Sequence, residues 1–230
     1  MKTMILGATG MVGQGVLREC INDPEVQEIL VVGRRLASIQ HPKIQEIIHG
    51  NLHDCSSIEP QLTGWDACMF CIGVSSFGMG EDEYTLITYE LTKYLAETIL
   101  RLNPGIVFIY ISGDGTDSSE KGKIKWARIK GKTENMLLKM PFKAAYMFRP
   151  GLIQPLHGIQ AQTKVYRYTY VVLKPIISIL RNLFPSAIST TEELGQAFLN
   201  AAKTGFHKPI IEKEDIRLLA QLSAKAPQKK

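Results

Sequence analysis

Apolar positions along the chain follow two alternating rhythms. Six short runs read as strands: MILG (4–7), ILVVG (29–33), IQEIIHG (44–50), ACMFCIG (67–73), IVFIYIS (106–112) and AAYMFRP (144–150). Between them, residues 11–22, 82–102 and 124–139 repeat their apolar positions at helical spacing. Strand and helix in alternation imply an α/β fold, a parallel sheet covered on both faces and joined by right-handed crossovers.

After Pro150 the rhythm breaks. Residues 163–183 read as a long amphipathic helix with a kink at Pro175, and STTEELGQAFLNAAKTG (189–205) has a Ser/Thr start, Glu in its first turn and Gly at its end. The expected organisation is a dinucleotide-binding core over 1–155, with a small, mostly helical substrate-side region over 156–230 packed on the same domain. VVLKPIISILRNLF (171–184) is interrupted by Lys174, Pro175 and Arg181 and is too short to cross a bilayer. The KAPQKK tail is expected to fray.

Composition adds one constraint and one asymmetry. With 230 residues, 45% hydrophobic and 21% charged, the chain can bury one substantial core. Its net charge of +5 is uneven: no acidic residue lies between Glu134 and Glu192, where Lys139, Lys143, Arg149, Lys164, Arg167, Lys174 and Arg181 fall. That stretch suits an anionic ligand or an acidic membrane surface. Peripheral membrane contact through 163–184 is therefore one expectation and a lid packed on the core is the other. The basic residues are too dispersed for nucleic-acid binding. A homodimer is a further expectation.

Four cysteines, Cys20, Cys55, Cys68 and Cys71, without a recognisable cleavable leader predict reduced thiols in a cytoplasmic protein. Cys68 and Cys71 form a CxxC, but the apolar run around them reads as a buried strand, so no metal is expected.

Candidate chemistry begins at GATGMVGQG, directly after the first strand. Gly7 permits a tight turn, Gly10 lets backbone amides approach a diphosphate, and Gly13 allows helix and strand to pack closely. Thr9, Met11 and Val12 complete the turn. The second strand ends VVGRR, placing Arg34 and Arg35 where an acid accepts from the adenosine ribose of NAD. Two cations there match a 2′-phosphate instead, so NADP is expected ahead of NAD.

GATGMVGQG, VVGRR, GNLHD (50–54), CIG (71–73), a Lys on the helix after strand five and FRPG (148–151) occur in the order of the short-chain dehydrogenase/reductase superfamily. The chain most resembles its atypical NAD(P)H-binding branch, near the Tat-interactive oxidoreductase-like proteins and nucleoside-sugar epimerase relatives. The resemblance implies a Rossmann-like doubly wound sheet. It implies that Asn51 and Leu52 border the adenine, that Cys71, Ile72 and Gly73 border the cofactor ribose, and that Pro150 approaches the nicotinamide. Asn51 replaces the family's usual Asp, and its amide can still hydrogen-bond.

The same resemblance assigns Lys130, in KWARIKGK (125–132), to the Lys that holds the ribose and lowers the pKa of a Tyr acid. Trp126 falls on that Tyr. An indole N–H donates a hydrogen bond but does not titrate near neutral pH. Ser112 is the candidate for the carbonyl-polarising hydroxyl, either correctly placed or one residue early, with Gly113 at the required position. Among possible replacement acids, Tyr110 reads as core. Tyr84 lies nearer the cleft than Tyr89, Asp114 and Asp117 read as solvated loop carboxylates, and His157 reads as an exposed loop residue. The sequence therefore predicts an NADP(H)-dependent oxidoreductase lacking the usual proton donor, acting on an unidentified small molecule; the alternative is a cofactor-binding module without turnover.

Overall fold

The computed structural model describes residues 1–37, 39–159 and 187–222. The elements are β1 (Lys2–Leu6), α1 (Met11–Asn22), β2 (Glu28–Gly33), β3 (Ile44–Ile48), a 3₁₀ turn (Ser56–Leu62), β4 (Ala67–Phe70) and α2 (Glu81–Thr85). A π turn (Leu86–Glu90) joins α2 to α3 (Leu91–Leu102). There follow β5 (Val107–Ile111), α4 (Lys125–Lys139), β6 (Ala144–Arg149), β7 (Leu152–Gln154), β8 (Ile188–Thr190), α5 (Thr191–Thr204), β9 (Ile210–Glu212) and α6 (Lys213–Leu222).

Seven strands form one parallel sheet in the order β3-β2-β1-β4-β5-β6-β9, and β7 pairs with β8 in a separate parallel ribbon. Because neighbouring residues on a strand point to opposite faces, each strand feeds two cores. Ile5, Val31, Met69, Ile109 and Phe148 bury against α1, α5 and α6. Met4, Leu6, Phe70, Phe108 and Tyr110 bury on the other face against the 3₁₀ turn, α3 and α4. This is why the strand sequences are apolar without interruption: every residue of β4 and of β5 is buried.

The order reverses between β1 and β4, and ligands of such sheets bind at the carboxyl ends of strands around that switch. The helix expected at 11–22 runs over Met11–Asn22, and the one expected at 124–139 runs over Lys125–Lys139. The helix expected at 82–102 is interrupted by the π turn. The helix expected at 163–183, and with it the membrane or lid contact at 163–184, lies outside the described residues. The described part of 156–230 builds the sheet's cover. β9 closes the sheet beside β6, and α5 crosses α1. Among the described residues no helix is long and apolar enough to cross a membrane.

Candidate functional site

The turn between β1 and α1 is shaped by close approach. Gly7 has φ 84°, and a Cβ there would stand 2.8 Å from the carbonyl of Cys71. A Cβ on Gly13 would stand 2.1 Å from the Gly7 carbonyl oxygen, so α1 cannot start at this depth with any other residue. Gly10 donates its N–H to Gly7 O at 3.0 Å and caps α1 without a side chain, and the first turn carries no acid. Its opening amides, around Met11 and Val12, therefore present a partial positive charge that no side-chain cap or acid of that turn neutralises. This donor set fits a diphosphate. Thr9 helps hold the turn, its carbonyl accepting Gln14 Nε2 at 3.0 Å.

The other expected cofactor residues follow strand ends on the same edge of the sheet. Arg34 and Arg35 are exposed immediately after β2. Asn51 is exposed after β3, its side-chain oxygen accepting His53 N–H at 3.1 Å, while Leu52 is buried. Cys71 follows β4 directly and is buried, its N–H reaching Leu6 O at 2.8 Å; Ile72 is half-buried and Gly73 exposed. Pro150 follows β6, and its carbonyl accepts Asp114 N–H at 2.9 Å. The topology thus gathers the turn, Arg34, Arg35, Asn51, the CIG segment and Pro150 along one edge.

The residues expected to carry chemistry lie on β5, on α4 and in the loop between them. Trp126 lies in the first turn of α4 and is half-buried. Its indole rests against the loop after β5, where a Cβ on Gly113 or Gly115 would touch the ring at 3.9 and 3.6 Å. Ser112 Oγ lies 3.0 Å from Thr116 Oγ1, and Thr116 donates to Gly113 O at 2.8 Å. A hydroxyl has one hydrogen, so Ser112 is the donor of that pair. Lys130 is buried, donates Nζ to Ile111 O at 2.9 Å, and sits 4.9 Å from the centre of the Tyr110 ring. Burial pushes its ammonium down to about 8, with the negative charge of Glu134 opposing the shift.

The replacement acids do not converge on this point. Tyr110 is 1% exposed and its phenol is pushed far up by burial; Tyr84 is also buried, with its hydroxyl bonded to Thr88 and its pKa raised by burial. Tyr89 carries Lys132 Nζ at 4.1 Å from its ring centre. Asp114 Oδ2 accepts Lys213 Nζ at 3.2 Å. Asp117 is held below the usual carboxylate range by hydrogen bonds from Ser119 and Gly122, and acts as a loop staple. His157 pairs with Glu192 at 2.5 Å.

Four contributions to the site are not marked as such in the sequence. Thr116 is buried and supplies the hydroxyl beside Ser112. Gly131 lets α4 press on the same loop, since a Cβ there would stand 1.8 Å from Asp117 O. Glu134 and Arg149 form a buried pair beneath the site. Gly131 leaves a trace in the sequence as a glycine inside a helical pattern, and Arg149 stands in FRPG, but its pairing with Glu134 leaves none. All four cysteines are buried free thiols, and no group of metal ligands occurs among the described residues.

Residues 3–125, more than half of the chain, match the model of the NAD dependent epimerase/dehydratase family. Protein FMP52-1, mitochondrial, of Scheffersomyces stipitis is 23% identical over 98% of this chain and 100% of its own length. Protein HTATIP2 of Rattus norvegicus is 23% identical over 65% of this chain and 66% of its own. A short-chain dehydrogenase/reductase superfamily protein from Agrobacterium tumefaciens, solved with bound NAD, superposes with TM-score 0.64 at 13% identity, covering 89% of this chain and 74% of that one. The resemblance to the atypical branch and the Rossmann-like fold both stand. The expected cytoplasmic location does not: relatives from Scheffersomyces stipitis, Meyerozyma guilliermondii and Candida albicans carry mitochondrial names. Free thiols buried in the core do not report compartment, because burial alone keeps them apart from other thiols.

Proposed function

The chain belongs to the NAD dependent epimerase/dehydratase family, and from that premise we propose that it binds NADP(H) and works as an oxidoreductase whose proton step does not use residue 126. The glycine turn and the uncapped start of α1 would hold the diphosphate. Arg34 and Arg35 would grip the 2′-phosphate, favouring NADP over NAD. Lys130 would orient the nicotinamide ribose, with Pro150 beside the ring. Bound NADPH supplies the hydride. The chain's own residues bind, orient and exclude water: Ser112 and Thr116 offer hydroxyls at the end of β5, and Trp126 closes the loop above them. The region 156–230 would contribute the substrate side, and the substrate is a small molecule.

The observation that supports this reading is an indole in the first turn of α4 against Gly113 and Gly115, one turn before Lys130, whose Nζ reaches the Ile111 carbonyl at the end of β5; the resemblance would put that indole at the family's proton-donor position. It also favours a second reading, in which NADP(H) is held without turnover and serves a regulatory or partner-binding role. NADPH fluorescence on binding, followed by oxidation against a panel of aldehydes and ketones, separates the two. Oxidation by the native chain supports the oxidoreductase. Saturable binding with turnover only after Trp126→Tyr supports the second reading, with a gain of roughly 10²–10⁴-fold expected for a positioned acid. No saturation by either nicotinamide dinucleotide removes both.

A further inference from the structure

Glu134 is 0% exposed on α4. Its carboxylate accepts Arg149 Nε at 3.0 Å and makes a second contact with an Arg149 NH₂ group. The same guanidinium reaches Ser118 Oγ at 2.5 Å in the loop after β5 and Glu212 Oε1 at 3.2 Å on β9. Arg149 is also the residue before Pro150. One buried carboxylate therefore fixes, through one guanidinium, the positions of two site loops and an edge strand. A charge so deeply buried persists only because it is paired and hydrogen-bonded.

Lys130 lies one turn before Glu134 on the same helix face. Its ammonium is nevertheless directed at the Ile111 carbonyl and lies near the Tyr110 ring. Among the described residues, Ile111 and Tyr110 of β5 face it and Glu134 of α4 acts on it through its charge, while Tyr84 of α2 acts in the same way on Tyr110. The carboxylate's hydrogen bonds go to Arg149, and Lys130 receives its field. An ammonium has three hydrogens, and the Ile111 carbonyl takes one.

We propose that Glu134 is a positioning residue shared between two cations, its hydrogen bonds fixing Arg149 and the Pro150 loop while its charge keeps Lys130 an ammonium with donors left for a ribose hydroxyl. The ribose part rests on the NADP(H) reading; the charge sharing does not. The consequence is a Lys130 that changes charge near pH 8, so that cofactor affinity falls as the medium becomes more alkaline.

The test is an NMR titration of ¹⁵N-labelled lysine side chains in the full chain without cofactor, with the Lys130 signal assigned through Lys130→Arg. The native midpoint is expected at about 8. Glu134→Gln keeps hydrogen-bonding atoms toward Arg149 but removes the charge, and lowers the midpoint by about one pH unit or more. Glu212→Gln, on the half-exposed side of the same guanidinium, moves it by less than about 0.3. Arg149→Lys weakens the claim on Glu134 and moves the midpoint up. A native midpoint at the ordinary lysine value overturns the proposal, as do equal shifts in the two Gln variants. Should Glu134→Gln fail to fold, an unmoved or lowered midpoint in Arg149→Lys overturns it. NADPH affinity against pH is read separately: the expected titrations without any NADPH binding remove the cofactor reading and leave the charge sharing standing.

Discussion

Trp126 stands against Gly113 and Gly115, two positions where a side chain would meet the indole. A smaller aromatic ring there frees space over the loop, and Tyr in place of Trp adds a titratable hydroxyl as well as room. The neighbouring Ser112–Thr116 pair makes a separate prediction. Thr116→Val removes the acceptor that holds the Ser112 hydrogen, so Ser112 becomes free to donate elsewhere, while a buried valine costs little more than about 1 kcal/mol of stability. Carbonyl reduction in the Trp126→Tyr background should then change without loss of NADPH affinity, measured by steady-state kinetics beside fluorescence binding. Arg34 and Arg35 give the cofactor its test. Replacing both by Ala should weaken NADPH by roughly 10–100-fold, from about 1.5–3 kcal/mol of charge-assisted hydrogen bonding, and change NADH by less than about threefold. Equal loss for the two dinucleotides would assign the arginines to general electrostatics. The sequence displays these arginines as a dipeptide at a strand end. It hides the roles of Thr116, Glu134 and Arg149, because polar residues of these types are usually solvated, and for Arg149 only the fold brings partners 15 and 63 residues apart together.

At the scale of elements, the first six strands of the sheet and the helix at 11–22 were legible because long apolar runs and regular spacing survive in the primary structure. The three-residue strands β7, β8 and β9 were not, since a period of two needs more than one repeat to show. α6 carries no such mark, because KEDIRLLAQL opens with three charged residues directly after β9. The start of α5 was visible as Ser/Thr followed by Glu, and the structure makes it a reciprocal cap: Glu193 N donates to Thr190 Oγ1 at 3.0 Å and Thr190 N to Glu193 Oε2 at 2.8 Å. Thr190→Ala should cost about 1 kcal/mol in urea denaturation. The crossing of α1 and α5 is more demanding. A Cβ on Gly15 would stand 2.5 Å from Thr191 O, and one on Gly195 2.8 Å from Gly15 O, both backbone atoms. Gly15→Ala should destabilise by about 1–3 kcal/mol despite its better helix propensity, and an unchanged or raised urea midpoint would show that the helices separate at no cost.

For the molecule as a whole, Lys130 ties stability to pH. Below about 8 the folded and unfolded chains both carry its ammonium, and the folded state bears the full penalty of burying it. Between about 8 and the ordinary value of 10.5 the unfolded chain binds more protons, so this contribution rises with pH and is complete above that window. Compared with Lys130→Met, the native chain should therefore gain relative stability from about pH 8 to 10.5 in urea midpoints taken at fixed salt. A constant difference across that window would mean that the folded chain holds the Lys130 proton as tightly as the unfolded one does.

The contact between α1 and α5 joins segments roughly 180 residues apart. A ribosome delivers the glycine turn and α1 long before the helix that covers them has left the exit tunnel. The glycine notch on α1 must wait for its cover, which leaves an apolar surface open to chaperones throughout synthesis.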